Sequence, residues 1–312
     1  MKWERKPKII MIGDVRGWAW DIKTKQIVKY LSDEFEIINF PMLEEKKGIN
    51  TKAYDLYFTY GWSVVNHISA NSIPKERRIS GVTAHKGKDF FKNTIAKSMR
   101  LVKWHHANSI MLLNEMKEGG FKNTFYVPNG VDENQFNIKV PIPLKRDNLI
   151  VGHVGKRCGS GTDAKGHKRF IEPACEQAGV KYRNRYNNYK DRVPHEKMPE
   201  FYQEIDCFIV SSETDGTPNG ALEAAACGRP VISNKIGNMP EFIKDGYNGF
   251  IVPRNVKAYV EKLQFLKENR EVLIQMGTNA RKEIEENWTW KRMAENYRRM
   301  FQEILAEVGL RK

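Results

Sequence analysis

The chain predicts an α/β protein of two doubly wound, Rossmann-like domains, and three observations carry that prediction. Short apolar runs alternate with helical stretches along its 312 residues, about twice the length of a typical single domain. A segment with two prolines and a charged tail, NIKVPIPLKRDN at 137–148, interrupts the series near its middle. Beyond it a second alternating series begins.

In the first half KIIMIG (8–13), FEIINF (35–40), YDLYFTY (54–60), RISGVTA (78–84), SIMLLN (109–114) and FYVPNG (125–130) read as strands, with helical stretches at 21–31 and 90–103. Such alternation implies crossover units on a parallel sheet. In the second half LIVGHVG (149–155), CFIVSS (207–212), PVISN (230–234) and GFIVP (249–253) read as strands. Helices are expected at 165–178 and 219–227, and 255–308 reads as charge-rich helices. The boundary falls in the linker, giving domains 1–145 and 146–288, with a C-terminal helix over 289–312 available to complete the first. Two doubly wound sheets place a cleft between their carboxyl ends, where such folds bind ligands.

Composition narrows the partners. The chain has 52 basic and 38 acidic residues, a net charge of +14, so an anionic partner is expected. The excess is +9 over residues 1–145, where 24 basic face 15 acidic residues. It is densest at 75–103, where Lys75, Arg77, Arg78, Lys86, Lys88, Lys92, Lys97, Arg100 and Lys103 face only Glu76 and Asp89. Cys158, Cys175, Cys207 and Cys227 form no Cys-x-x-Cys pair and read as reduced core thiols, which argues against a zinc module or a disulfide scaffold. The apolar run in MKWERKPKIIMIG is too short for a secretion signal, and no stretch approaches eighteen apolar residues. A cytoplasmic protein is expected, a monomer or weak dimer, free to associate peripherally with a membrane or nucleic acid. Gly13-x3-Gly17 is not the Gly-x-Gly-x-x-Gly of a dinucleotide fold, which removes that class.

The run DGTPNGALEAAACGRP (215–230) carries the chemistry. Pro218 forces Thr217 away from helical geometry and Asn219 is an N-cap candidate, so a helix starts near Asn219 and ends near Gly228. Asp215 then lies in the loop and Glu223 one turn into the helix. The amides of Gly216 and Thr217 with the helix N-terminus suit a phosphate. A loop carboxylate can accept hydroxyl hydrogens from a sugar, and a helix carboxylate the two hydroxyls of a ribose. The ligand expected is a phosphate between two polyols.

The stretch 215–252 resembles the donor-binding core of the retaining family-four, or group 1, glycosyltransferases, whose motif is Glu-x7-Glu followed by Ala-x-Ala-Cys-Gly-x-Pro-Val. YVPNGVDENQF (126–136), VGKRCGSGTDAKGHKRFIEPACEQ (154–177) and HEKMPEFYQEIDCFIVSS (195–212) resemble further family motifs in family order. The resemblance implies the GT-B fold and a nucleotide-diphosphate sugar as donor. Asp215 and Glu223 take the two acidic positions; Asp215 is one methylene shorter than the family Glu, and Glu213 is a candidate to compensate. Lys156 or Arg157, with Lys165, would neutralise the diphosphate, without a cofactor or an obligatory metal; the chain has no Asp-x-Asp clamp. Pro218 and Asn219 complete the donor loop, Gly17 lies in the family's Gly-rich first loop, and His85 follows the fourth strand where the family often has a histidine reaching the donor sugar.

The acceptor stays open. Trp18 and Trp20 beside the first loop can stack on a sugar or a base. Lys86, Lys88 and Lys92 belong to a track for a polyanion. A hydroxymethylated base in DNA or another soluble polyanion is favoured over a lipid-linked or polysaccharide acceptor at an anionic membrane. A degenerate, non-catalytic polyanion binder is the competing class.

Overall fold

A computed structural model describes residues 3–43, 49–50, 52–67, 73–84, 95–155, 163–186 and 193–310. The chain divides into two compact units, Met1–Asn129 with Trp290–Lys312, and Gly130–Thr289.

The first unit holds a parallel sheet of β1 (Lys8–Gly13), β2 (Glu36–Pro41), β3 (Leu56–Thr59), β4 (Arg78–Val82), β5 (Trp104–Ala107) and β6 (Thr124–Tyr126), in the order β2-β1-β3-β4-β5-β6. Its first strand, β1, carries an unbroken apolar run, Ile9, Ile10, Met11 and Ile12, each at most 1% exposed, because a parallel sheet is covered on both faces. Three helices of the first 129 residues are α1 (Ala19–Leu31), α2 (Ala96–Met99) and α3 (Ile110–Glu118).

The second unit holds β7 (Ile150–Gly155), β8 (Lys181–Tyr186), β9 (Cys207–Val210), β10 (Val231–Asn234) and β11 (Gly249–Val252), all parallel, in the order β11-β10-β9-β7-β8. Its helices are α4 (Glu172–Gln177), α5 (Met198–Gln203), α6 (Asn219–Ala226), α7 (Met239–Phe242), α8 (Val256–Glu268) and α9 (Arg270–Glu283). One face of the sheet packs with α5 and α6 through Phe201, Tyr202, Leu222 and Ala225, the other with α4, α8 and α9 through Ala174, Leu263 and Met276. Each sheet reverses its strand order once, between β1 and β3 and between β7 and β9. In such sheets the ligand crevice lies outside the carboxyl ends at the reversal.

The final helix, α10 (Trp290–Glu307), belongs to the first unit. Trp290, Ala294, Tyr297, Phe301 and Ile304 recur at three- and four-residue spacing and are buried with Ile27, Leu31 and Phe35. Arg298 joins it to the end of α1, with Nη1 2.8 Å from Glu34 Oε2 and Nη2 3.0 Å from the Tyr30 carbonyl.

Three expectations need correcting. SIMLLN is a helix, not a strand: the Ser109 hydroxyl accepts the Leu112 amide at 3.2 Å as an N-cap, and Leu112 and Met116 form its buried face. The strand before it is WHHA, where no strand was expected, with His105 and His106 buried inside the sheet. The proline-bearing segment 137–148 is no boundary but part of the second unit. Gln203 donates to the Asn137 carbonyl at 2.8 Å, Arg229 to Val140 at 2.7 Å and Arg270 to Pro143 at 2.6 Å, and Ile142 is buried in that unit's core.

Cys175, Cys207 and Cys227 are free and buried, and burial pushes the Cys175 and Cys227 thiols up to about 12; Cys158 lies outside the described residues. No helix among the described residues is long and apolar enough to cross a membrane.

Candidate active site

The strand reversal of the second unit lies between β7 and β9, and the loops that follow these strands bring Lys165 to Asp215. Lys165 Nζ is 2.5 Å from Asp215 Oδ2, which also accepts the Ser212 hydroxyl at 3.2 Å. The loops are tied by the Glu213 amide donating to the Ala164 carbonyl at 2.7 Å. Gly166 makes this approach possible. Its φ is +72°, and a Cβ there would stand 2.5 Å from the Ser211 carbonyl oxygen, so no other residue fits without moving the loop. The pair is not sealed, since the side chains of Lys165 and Asp215 keep 30% and 13% of their surface.

Pro218, not Asn219 as expected, takes the cap position at the start of α6, with Asn219 the first helical residue, and Gly228 at φ +73° ends the helix. Glu223 therefore lies one turn into the helix. Both of its oxygens are engaged: His195 Nε2 is 2.9 Å from Oε1, and the Tyr202 hydroxyl donates to Oε2 at 2.6 Å. The two carboxylates thus have separate partner sets. Gly216 and Thr217 sit between them, with Thr217 buried and the Gly216 carbonyl accepting the Asn238 amide at 3.0 Å. Glu213 does not join Asp215. It is half-exposed and faces Arg169 at 3.1 Å and Arg254 at 3.7 Å.

One neighbour of this cluster went unread in the sequence. His153 on β7 is fully buried, and its Nδ1–H donates to the Ile209 carbonyl at 2.7 Å, which leaves Nε2 as an acceptor. Burial holds this imidazole uncharged, lowered to about 3. A Cβ on Gly155, at the carboxyl end of β7, would stand 2.8 Å from that Nε2, so the glycine keeps space over a neutral lone pair.

In the first unit the equivalent reversal, between β1 and β3, carries Gly17, Trp18 and Trp20. Gly17 adopts φ +70° and its amide donates to Asp21 at 2.6 Å. Trp18 caps α1. Trp20 stacks on Tyr60, with ring centroids 5.7 Å apart, and packs against the core. In the basic stretch Arg78 is buried and donates to the Ile73 and Leu101 carbonyls, while Lys103 pairs with Glu307. These two are structural charges, not a surface track. His85, Lys86, Lys88, Lys92, Lys156 and Arg157 lie outside the described residues. Among the described residues no group of three His, Cys, Asp or Glu could hold a metal ion.

Residues 162–283, which contain Lys165, His195, Tyr202, Asp215 and Glu223, match the family model described as glycosyl transferases group 1. Over this stretch the chain is similar to the group 1 glycosyltransferases. An uncharacterized glycosyltransferase of Methanocaldococcus jannaschii is 23% identical over 236 residues, 70% of this chain and 64% of that protein. Spore coat protein SA of Bacillus subtilis is 35% identical over 107 residues, 33% of this chain and 28% of that protein. The chain thus spans less than two thirds of the length of these relatives. Over 95% of its length it superposes on 99% of HepE of Anabaena, solved with UDP and glucose, at a TM-score of 0.71 and 14% identity. The two parallel-sheet domains have the GT-B fold of the glycosyltransferases.

Proposed function

We propose that the protein transfers a sugar from a nucleotide-diphosphate donor to an acceptor hydroxyl, with retention at the anomeric carbon. The observation that carries this is the meeting of Lys165 and Asp215 at the strand reversal, within the stretch similar to the group 1 glycosyltransferases. A lysine there supplies a positive charge where the diphosphate gains negative charge as the sugar–phosphate bond breaks. A bound diphosphate would compete with Asp215 for Lys165, and the released carboxylate would accept hydroxyl hydrogens of the sugar. Lys156 or Arg157 would share the phosphate charge. His85 would reach the donor sugar, and Glu223 would take the ribose.

The acceptor oxygen attacks the anomeric carbon on the face the diphosphate leaves. The carbon–oxygen bond to phosphate breaks with its electron pair on the phosphate oxygen, and that oxygen takes the proton of the acceptor hydroxyl. Such a step asks no separate protein base beside the anomeric carbon, and no such base is assigned. The net charge of +14 favours an anionic acceptor, with a hydroxymethylated base in DNA preferred and Lys86, Lys88 and Lys92 as its contacts.

A thermal-shift screen of uridine, guanosine and adenosine diphosphates and their sugars tests the donor. A ligand of the folded state at 100 times its dissociation constant stabilises by about 2.7 kcal/mol. Failure of every one of these nucleotides to bind, checked by calorimetry, would overturn the reading.

A further inference from the structure

Glu223 presents a carboxylate whose orientation is fixed from behind. An ionised carboxylate offers about four lone-pair positions, two on each oxygen. His195 takes one on Oε1 and Tyr202 one on Oε2, which leaves one on each oxygen. Two acceptor positions side by side match the two hydrogens of a vicinal diol. The carboxylate keeps 14% of its surface and the imidazole 22%, so the free side reaches solvent.

Both partners are held as donors. Tyr202 is fully buried, and burial together with the Glu223 charge raises its phenol well above the ordinary value, so it keeps its proton. The Tyr202 hydroxyl fits under the first turn of α6 because position 220 is glycine, where a Cβ would stand 3.3 Å from it. Its backbone is anchored as well: the buried Arg229 donates to the Tyr202 carbonyl at 2.8 Å. For His195 the tautomer follows from Gln135. The Gln135 side-chain nitrogen lies 2.9 Å from the His195 carbonyl, which can only accept, and 3.3 Å from Nδ1. Nδ1 is then the acceptor, and the proton sits on Nε2, facing Glu223. Phe136 packs edge-on against both rings, at 5.1 Å from His195 and 5.9 Å from Tyr202.

We infer that His195 and Tyr202, backed by Gln135, are positioning residues that aim Glu223 at the 2′- and 3′-hydroxyls of the donor ribose, and that they set the preference of this site for ribonucleotides over 2′-deoxyribonucleotides. The inference rests on the donor-site reading of Glu223. A purely structural pair of hydrogen bonds would contribute to stability alone. A clamp makes the affinity for one hydroxyl depend on residues that never touch the ligand.

The test is calorimetric titration of the full chain with UDP and 2′-deoxy-UDP, and with the guanosine and adenosine pairs where UDP does not bind. The unaltered protein should prefer the ribo form by about tenfold or more, as a site built to bond a hydroxyl rejects the analogue without it. Tyr202→Phe and His195→Ala should each reduce that preference by about threefold or more, through loss of ribo affinity, the size expected for one hydrogen bond. His195→Gln, which keeps a donor, should restore part of it, and Gln135→Leu should act in the same direction as His195→Ala. Should Tyr202→Phe fail to fold, the more exposed His195 and Gln135 positions decide alone. Nucleotide binding with no ribo preference, or with a preference unchanged in folded variants, would overturn the clamp and leave the donor site standing. Absence of any nucleotide binding would overturn the donor site itself.

Discussion

The two units share the order of their first five strands and differ in what they place at its reversal. In the first, the carboxyl ends of β1 and β3 carry an aromatic pair, Trp20 stacked on Tyr60, and a loop whose Gly17 amide is taken by Asp21. In the second, the ends of β7 and β9 carry a lysine–aspartate pair, a neutral buried imidazole and, on α6, a carboxylate held by two donors. The scaffold supplies the same crevice twice, and the side chains decide its use. Partly exposed charge suits a diphosphate and its polyols; stacked rings suit a surface that receives an acceptor or simply closes the core.

The largest contrast should come from deleting one group in each unit. If Glu223 holds the ribose as proposed, Glu223→Ala removes two charge-assisted hydrogen bonds, each worth about 1.5–3 kcal/mol, and nucleotide affinity should fall by about 100-fold or more in calorimetry. Trp20→Ala should cost about 2 kcal/mol of stability through lost packing on Tyr60, and leave nucleotide affinity within about twofold. Nucleotide affinity that collapsed in Trp20→Ala would remove the division of labour between the two reversals.

On pH the units should behave alike. Burial lowers His106 and His153 to about 3 and His105 to about 4, against about 6.5 in an unfolded chain. Between pH 6.5 and those values the unfolded chain binds more protons, so this stability is fully present above pH 6.5 and is lost as pH falls. Each histidine contributes a slope of up to about 1.4 kcal/mol per pH unit. Thermal melts at pH 7 and pH 5 should differ by several degrees. Hydrogen exchange should report loosening in β5, which holds His105 and His106, and in β7, which holds His153. Loosening confined to one sheet would show that only one set of imidazoles is desolvated.

The same contrast explains what could be read beforehand. The second unit was legible where glycine and proline punctuate it: β7, β9, β10, β11 and the start of α6 at Asn219 lie where their apolar runs and turn residues put them. β8 was not, because KYRNRY alternates exposed charge with half-buried residues, as an edge strand does to deter pairing with another chain. In the first unit SIMLLN is too short an apolar run for its period to separate helix from strand, and WHHA hides a buried strand behind two histidines. The segment 137–148 misled because two prolines read as a linker until Gln203, Arg229 and Arg270 are seen to collect its carbonyls. Asp215, Lys165 and Glu223 were visible as a motif. His195 and Tyr202 lay within a matching stretch, but nothing in their spacing says they meet Glu223. That contact comes from the packing of α5 against α6.

The finest contrast lies in two glycines that make room for a ring. At Gly220 a Cβ would stand 3.0 Å from the Phe208 ring and 3.3 Å from the Tyr202 hydroxyl; at Gly61 it would stand 3.1 Å from the Trp20 ring. Neither has a positive φ, so alanine at both positions is a test of crowding rather than of backbone strain. In Gly220→Ala the helix gains up to about 1 kcal/mol of propensity, which offsets the cost of shifting the neighbours, and net stability should change by less than about 1 kcal/mol. The Tyr202 hydroxyl must give by a few tenths of an ångström, which weakens its hold on Glu223. Ribonucleotide affinity should then fall about two- to threefold, with little change for the 2′-deoxy form. Gly61→Ala should disturb Trp20 to a similar degree and leave both affinities alone. Titration of the two variants side by side checks this. Equal ribonucleotide losses in both would mean that the effect travels through general loosening, and the Tyr202 hydroxyl would lose its claim to a specific role.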